Sequence, residues 1–299
     1  MDRLRVLLAT DGSPGAAEAC ELLASSFRPA GLEVDVMAVV GHRSEPDSVR
    51  LEPSAAVLNE RERETAAQHV RTAAGLLGAA GFSTTETVRD GHPAETILSQ
   101  AAATGTDLIV LGTRGLSGLR RVVVGSVSGK VARYAHTPVL VARTAGPIRT
   151  IVLAYDASPD ADRALDLVSR LPLTGKPQVI VCSAYDVIKP LGSGLAPTMV
   201  AQVRRAYHDS LRWAHEAAET MAAGARQRLV EQGISAVHRT VRGRPHEQLA
   251  IVARESAADL IVVGSRGLSA VQQFLLGSTS AALVLHPPTS VLVARATAT

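Results

Sequence analysis

The sequence predicts an α/β chain built as two tandem domains, each a parallel sheet flanked by helices. Three observations predict it. The chain repeats itself with a period near half its length. Val6-Leu-Leu-Ala-Thr-Asp11-Gly-Ser13-Pro14 is matched by Ile151-Val-Leu-Ala-Tyr-Asp156-Ala-Ser158-Pro159, and Pro138-Val-Leu-Val-Ala-Arg143 by Ser290-Val-Leu-Val-Ala-Arg295. Strand-like and helix-like segments alternate within each half, which calls for parallel pairing with right-handed crossovers. The strand segments are continuous apolar runs such as Leu108-Ile-Val-Leu111, the mark of strands buried on both faces.

Taken in order, the first half reads as strands at 4–9, 33–40, 84–88, 107–112 and 138–142, with helices near 15–26, 55–79, 93–103 and 125–135. Ser13 and Ser158, each followed by Pro, read as the cap and first position of a helix. Pro93 and Pro245 begin a later helix, with Glu95 and Glu247 in its first turn. Ordinary helix initiation accounts for that pattern and for His92, Arg244 and His246 beside it. The second half repeats the plan, with a longer stretch after its second strand, Val187 to Thr198, whose Gly192, Ser193, Gly194 and Pro197 read as a mobile loop. The turn-forming Thr144-Ala-Gly146-Pro147 separates the halves, so the domains are expected at 1–145 and 146–299.

Composition narrows the function. A chain of 299 residues accommodates two domains of ordinary size. Aromatic residues make up 3% of it, too few for base-stacking platforms. The net charge of +3 comes from scattered basic residues, which read as a solvated surface and not as a nucleic-acid patch. Cys20 and Cys182 lie in apolar patterns without metal spacing and read as buried thiols. No apolar run nears the roughly 18 residues that span a membrane. The N-terminus runs as a strand into Asp11, with no signal peptide. The expected location is the cytoplasm, with no membrane and no nucleic-acid partner.

The chemistry is carried by a glycine pattern present twice. Gly112-Thr-Arg114-Gly115, nine residues, then Gly125-Ser126 recurs as Gly264-Ser-Arg266-Gly267, nine residues, then Gly277-Ser278. Each copy follows an apolar run that opens with Asp-Leu-Ile. Glycines at a strand end and a helix start let backbone N–H groups approach an anion, and the helix dipole favours negative charge there. In open parallel sheets ligands sit beyond the carboxyl ends of the strands, where strand order reverses. If the first and fourth strands are neighbours, Asp11 faces Gly112 across one crevice and Asp156 faces Gly264 across a second. The glycine loop, Arg114 or Arg266, and the serine hydroxyls suit phosphates. The aspartates suit ribose hydroxyls, an adenine amine or a metal on the phosphates. Gly125-Ser-Val-Ser-Gly129-Lys130 is not a Walker A loop: it is one residue short between its glycines and lacks Ser or Thr after the lysine. Lys130 reads as a surface residue. The nine histidines show no metal spacing.

These residues resemble the ATP-binding signature of the universal stress protein family, over nearly the whole chain and in two copies. The resemblance implies a Rossmann-like, adenine nucleotide alpha-hydrolase-like domain with a five-stranded parallel sheet of order 3-2-1-4-5, and ATP, with magnesium, in the crevice. By position Asp11 would contact the nucleoside and Val39 the adenine, while Gly112, Arg114, Gly115, Gly125, Ser126, Val127 and Ser128 would surround ribose and phosphates. The second copy would use Asp156, Ala184, Gly264, Arg266, Gly267, Gly277, Ser278, Thr279 and Ser280. It departs at Tyr155 for Thr10 and Ala184 for Val39. The resemblance also implies an intrachain pseudo-dimer through the last strands, 138–143 with 290–295, and whole chains able to pair again. Lysines at Val139 and Val141 are expected to weaken that pairing and spare the fold. The cradle lacks an obvious base, so a nucleotide-dependent sensor or regulator of stress response is expected; slow ATP hydrolysis or (auto)kinase activity, and cyclic AMP as the ligand, are the alternatives.

Overall fold

The computed structural model describes residues 3–41, 52–113, 124–187, 197–267 and 276–295, without the side chains of 52–58 and 197–198. The apolar runs form the strands and the segments between them the helices. The first half is β1 (Leu4–Ala9), α1 (Pro14–Ser26), β2 (Leu32–Gly41), α2 (Glu52–Ala79), β3 (Ser83–Gly91), α3 (Pro93–Thr104), β4 (Leu108–Gly112), α4 (Ser126–Tyr134) and β5 (Val139–Ala142). The second is β6 (Thr150–Ala154), α5 (Pro159–Arg170), β7 (Gln178–Tyr185), α6 (Pro197–Glu231), β8 (Ala236–Arg242), α7 (Pro245–Glu255), β9 (Leu260–Gly264), α8 (Ser278–Leu285) and β10 (Ser290–Ala294). β3 runs past the 84–88 stretch that the sequence predicts. It is an edge strand paired with β2 from Glu33↔Ser83 to Gly41↔Gly91, and its polar residues hide its ends from a search for apolar runs. The expected loop after β7 gives way to helix by Pro197, and residues 188–196 lie outside the described set.

Both halves carry the order 3-2-1-4-5, and the two sheets join into one of ten strands: β3-β2-β1-β4-β5-β10-β9-β6-β7-β8. Neighbours are parallel within each half. The seam is antiparallel, Val139↔Val293, Leu140↔Leu292 and Val141↔Val291, with the Leu140–Leu292 pair at its centre. The intrachain pairing of the last strands is therefore present. α1, α2, α5 and α6 cover one face, over Leu8, Leu140, Leu153 and Leu292. α3, α4, α7 and α8 cover the other, over Ile109, Val139, Val141, Ile261 and Val291. Each apolar layer runs unbroken across the seam.

The seam corrects one expectation. Val139 and Val141 are fully buried on the sheet face, so the edge pairs through backbone while these side chains fill the core. A lysine there would place an unpaired charge in the interior and unfold the domain instead of freeing its edge.

The aspartate opening each Asp-Leu-Ile run is a strand clamp. The Asp107 carboxylate accepts the Arg5 N–H at 2.9 Å, and Asp259 accepts those of Arg149 and Thr150 at 2.7 and 2.9 Å. These bonds align the starts of the first and fourth strands. At the other end, a Cβ on Gly112 would lie 2.3 Å from the backbone C and O of Gly15, and one on Gly264 2.7 Å from those of Asp160. Glycine is required here so that the helix after the first strand can pack onto the fourth.

Two outcomes test this frame. Gly112→Ala should destabilise the protein by about 1–3 kcal/mol, because backbone must shift to admit the methyl group; a thermal melt unchanged within a degree would contradict the close approach. Residues 1–145 expressed alone should pair through the uncovered β5 edge. A half that sediments as a monomer at high concentration would show that the edge needs no cover.

Candidate functional site

The crossover that places β1 beside β4, and β6 beside β9, opens a crevice at the carboxyl ends of the strands in each half. The first has a volume of about 270 Å³ and is lined by Thr10, Asp11, Met37, Val39, Pro93, Ile97, Gly112 and the start of α4 from Gly125 to Ser128. The second is about 850 Å³ and is lined by Tyr155, Asp156, Cys182, Ala184, Leu249, Gly264, Arg266, Gly267 and the start of α8 from Gly277 to Ser280. All the predicted site residues within the described set line one crevice or the other. Arg114 and Gly115 lie outside the described residues.

One wall is the open end of a short helix. The Gly125 N–H is spent on the Thr113 carbonyl at 2.7 Å, and the first intrahelical bond is Gly129 N–H to the Gly125 carbonyl. The N–H groups of Ser126, Val127 and Ser128 therefore have no acceptor within α4, and the cap residue Gly125 offers no side chain. α8 repeats this: Gly277 N–H meets the Ser265 carbonyl at 2.8 Å, Ala281 N–H bonds the Gly277 carbonyl, and Gly277 leaves the end uncapped. Each crevice thus presents three backbone donors and a positive dipole end.

The serines divide by role. Ser126 is exposed at the mouth. Ser128 is buried, and its hydroxyl donates to the Gly112 carbonyl at 2.7 Å. Ser280 donates to the Gly264 carbonyl at 2.6 Å. Ser128 and Ser280 hold the helix start against the strand end, so what they offer the crevice is their backbone N–H.

The opposite wall carries the carboxylates. The Oδ1 atoms of Asp11 and Asp156 each accept an N–H two residues on, from Ser13 and Ser158, at 3.0 Å. The turn needs a left-handed backbone, supplied by Gly12 at φ 73° and by Ala157 at φ 58°. Ser13 and Ser158 then cap α1 and α5, accepting the N–H of Ala16 and Ala161. Asp156 reaches across to the glycine loop: its Oδ2 would stand 2.6 Å from a Cβ on Gly267. Between the walls lies an apolar slot, Met37, Val39, Pro93 and Ile97 in the first crevice, Cys182, Ala184, Pro245 and Leu249 in the second. Burial pushes the Cys182 thiol up to about 12, so it stays a neutral, unreactive part of that slot.

Beside the second crevice stands a carboxylate that the sequence reading missed. Asp160 is buried at the start of α5, accepts the Ser265 hydroxyl at 2.5 Å, pairs with Arg163 and lies 3.4 Å from Nε of Arg266. An anion in this crevice would compete with Asp160 for that guanidinium. Gly15 stands in the same place in the first half, and the buried hydroxyl of Thr113, the counterpart of Ser265, has no hydrogen-bond partner among the described residues. The exchange of Gly15-Thr113 for Asp160-Ser265 between the aligned halves was the available signal. The Tyr155 hydroxyl donates to Asp162 at 2.8 Å and receives from Arg228 at 3.3 Å. Burial, and then its bond to Asp162, raise its pKa. Arg244 and His246 also line this crevice, beyond the helix-initiating role that the sequence assigns them. Among the described residues no three His, Cys, Asp or Glu gather closely enough to hold a metal ion. Lys130 is exposed on α4, as the failed Walker pattern implies.

Comparison with known proteins agrees with this architecture. The model of the universal stress protein family matches residues 3–143 and again 147–295. A universal stress protein of Mycolicibacterium smegmatis is 31% identical over 251 residues, 79% of this chain and 77% of that protein. One from Thermus aquaticus is 32% identical over 151 residues, 49% of this chain and 98% of its own. YxiE of Bacillus subtilis is 48% identical over 54 residues, 18% of this chain and 36% of that protein. The crystal structure of a universal stress protein from Archaeoglobus fulgidus shares the fold, at a TM-score of 0.64 and 21% identity, covering 97% of this chain and 98% of that one. No helix of the described residues is long and apolar enough to cross a membrane. Both halves match the family model over nearly their whole length, and the chain belongs to the universal stress protein family, with two such domains in tandem.

Proposed function

We propose that this protein binds ATP in its two crevices and acts as a nucleotide-dependent regulator in stress response. The observation that carries this is the pairing, in each crevice, of an uncapped helix start with a carboxylate across an apolar slot. The residues fit the parts of the nucleotide one by one. The N–H groups of 126–128 and 278–280 would hold phosphate oxygens, the Oδ2 atoms of Asp11 and Asp156 would accept from ribose hydroxyls, and Val39 and Ala184 would flank the base. When bound, ATP supplies a polyphosphate whose charge and hydrolysable bonds can report the energy state of the cell.

Binding is favoured over catalysis by what lines the first crevice. Asp11 is the one titratable side chain among its described lining residues, and one of its oxygens is held by Ser13. Efficient phosphoryl transfer needs a positioned nucleophile and charge stabilisation beyond a cradle. A triphosphate matches three backbone donors and a nearby loop better than a cyclic monophosphate does.

Magnesium-ATP at 1,000 times its dissociation constant should stabilise the fold by about 4 kcal/mol, read as a rise in melting temperature. No rise at millimolar ATP, and no nucleotide released from the purified protein, would refute the proposal. Gly125→Val and Gly277→Val should each remove one site from the calorimetric stoichiometry; Gly115→Val and Gly267→Val should do the same.

The serines separate binding from folding. Ser126→Ala should weaken first-site affinity roughly ten- to 150-fold, for one bond to a charged group, with little change in the melt. Ser128→Ala should instead cost about 1–3 kcal/mol of stability, because it leaves the Gly112 carbonyl short of a partner. Equal behaviour of the two variants would show that these hydroxyls are not divided as described.

A further inference from the structure

The helices that form the two cradles meet at the seam. α8 opens into the second crevice at Ser278, and its last carbonyl, Leu285, accepts the Val124 N–H at 3.3 Å. Val124 is buried and immediately precedes Gly125, the cap of α4 in the first crevice. The far end of α4 is held from the second domain as well. Nη2 of Arg295, just past β10, donates to the Ala132 and Arg133 carbonyls at 2.6 and 3.0 Å. Arg295 is itself within electrostatic reach of Arg266 and Asp160, at the glycine loop of the second crevice, and burial with Arg266 lowers its pKa to about 10. It stays charged at neutral pH, and its buried Nε has no hydrogen-bond partner among the described residues. Both ends of α4 are thus tied to the second domain, one to the far end of α8 and the other to a residue within electrostatic reach of Arg266.

We infer that the two crevices are coupled, and that filling the second tightens the first through the Leu285–Val124 bond and the Arg295 clamp on α4. This inference rests on the binding reading above. Helices of eight and nine residues are marginal by themselves, so each depends on what holds its ends. An anion on the first turn of α8 orders that helix to Leu285, and with it the chain entering α4. A ligand arriving at the first crevice then finds part of its ordering cost already met, which is positive cooperativity without a large change of shape. We expect a factor of about five, at the low end for coupled sites.

Calorimetric titration of the full chain with magnesium-ATP tests this. Gly277→Val closes the second crevice, and the first should then bind about fivefold more weakly than in the wild-type chain with both sites filled. Gly267→Val closes the same crevice by a different contact, should Gly277→Val fail to fold. Linkage requires Gly125→Val to weaken the second site by the same factor, a symmetry that simple structural damage would not produce. Arg295→Met, which leaves the lining of both crevices intact, should reduce both factors equally. With the first crevice closed by Gly125→Val, ATP should still slow amide exchange over 124–134. Two saturable sites whose affinities each change less than twofold when the other is closed would overturn the coupling alone, and factors untouched by Arg295→Met would overturn its route through the Arg295 clamp. A chain that binds no ATP at either site would overturn the nucleotide reading and the coupling with it.

Discussion

Everything in this molecule is arranged around a strand edge that has to be covered. A five-stranded sheet of order 3-2-1-4-5 ends in β5, a short run with every side chain buried and one row of backbone groups unpaired. Antiparallel pairing with β10 satisfies that row and extends both apolar layers across the boundary. It also sets α4 and α8 side by side. Because the register centres on Leu140 and Leu292, each half meets the other as it would meet a copy of itself. Duplication within one chain makes that partner permanent and frees the two halves to diverge.

The glycine signature serves folding and site together. Gly112 and Gly264 are needed where strand and helix backbones touch. Ser128 and Ser280 pull the helix start onto the strand end. What remains exposed is a set of backbone donors that no side-chain substitution could supply in the same place. The conformation that makes a good anion cradle is thus the one that the packing already requires, which explains why the same spacing appears in both halves.

Divergence is concentrated in the second crevice. Asp160 and Ser265 replace Gly15 and Thr113, engaging Arg266, whereas the buried Thr113 hydroxyl has no partner among the described residues. Tyr155, Arg228 and Asp162 form a bonded group where the first half has Thr10. Cys182 and Ala184 are smaller than Met37 and Val39, in keeping with the larger cavity. The two sites share a cradle and differ in the walls around it.

Much of this was legible in the chain itself. Apolar runs located the buried strands, Pro after Ser located the caps of α1 and α5, and the repeated glycine spacing located both crevices, because these signals are local and act through backbone geometry. Pairing of the last strands followed from the resemblance, and the structure supplied its register. The polar edge strand β3 was read short, since its pairing with β2 leaves no apolar trace. Asp160 lies more than a hundred residues from Ser265 and Arg266, so the ion pair existed in no window of sequence. Val139 and Val141 read as edge residues, yet they are core, because a strand edge is a property of its backbone while its side chains belong to the faces. The sequence by itself determined the twofold repeat, most of the elements and the glycine-bearing turns at the strand ends. Only the tertiary structure decided which groups meet across the seam and across each crevice, because those contacts join residues that are distant along the chain and are made by packing.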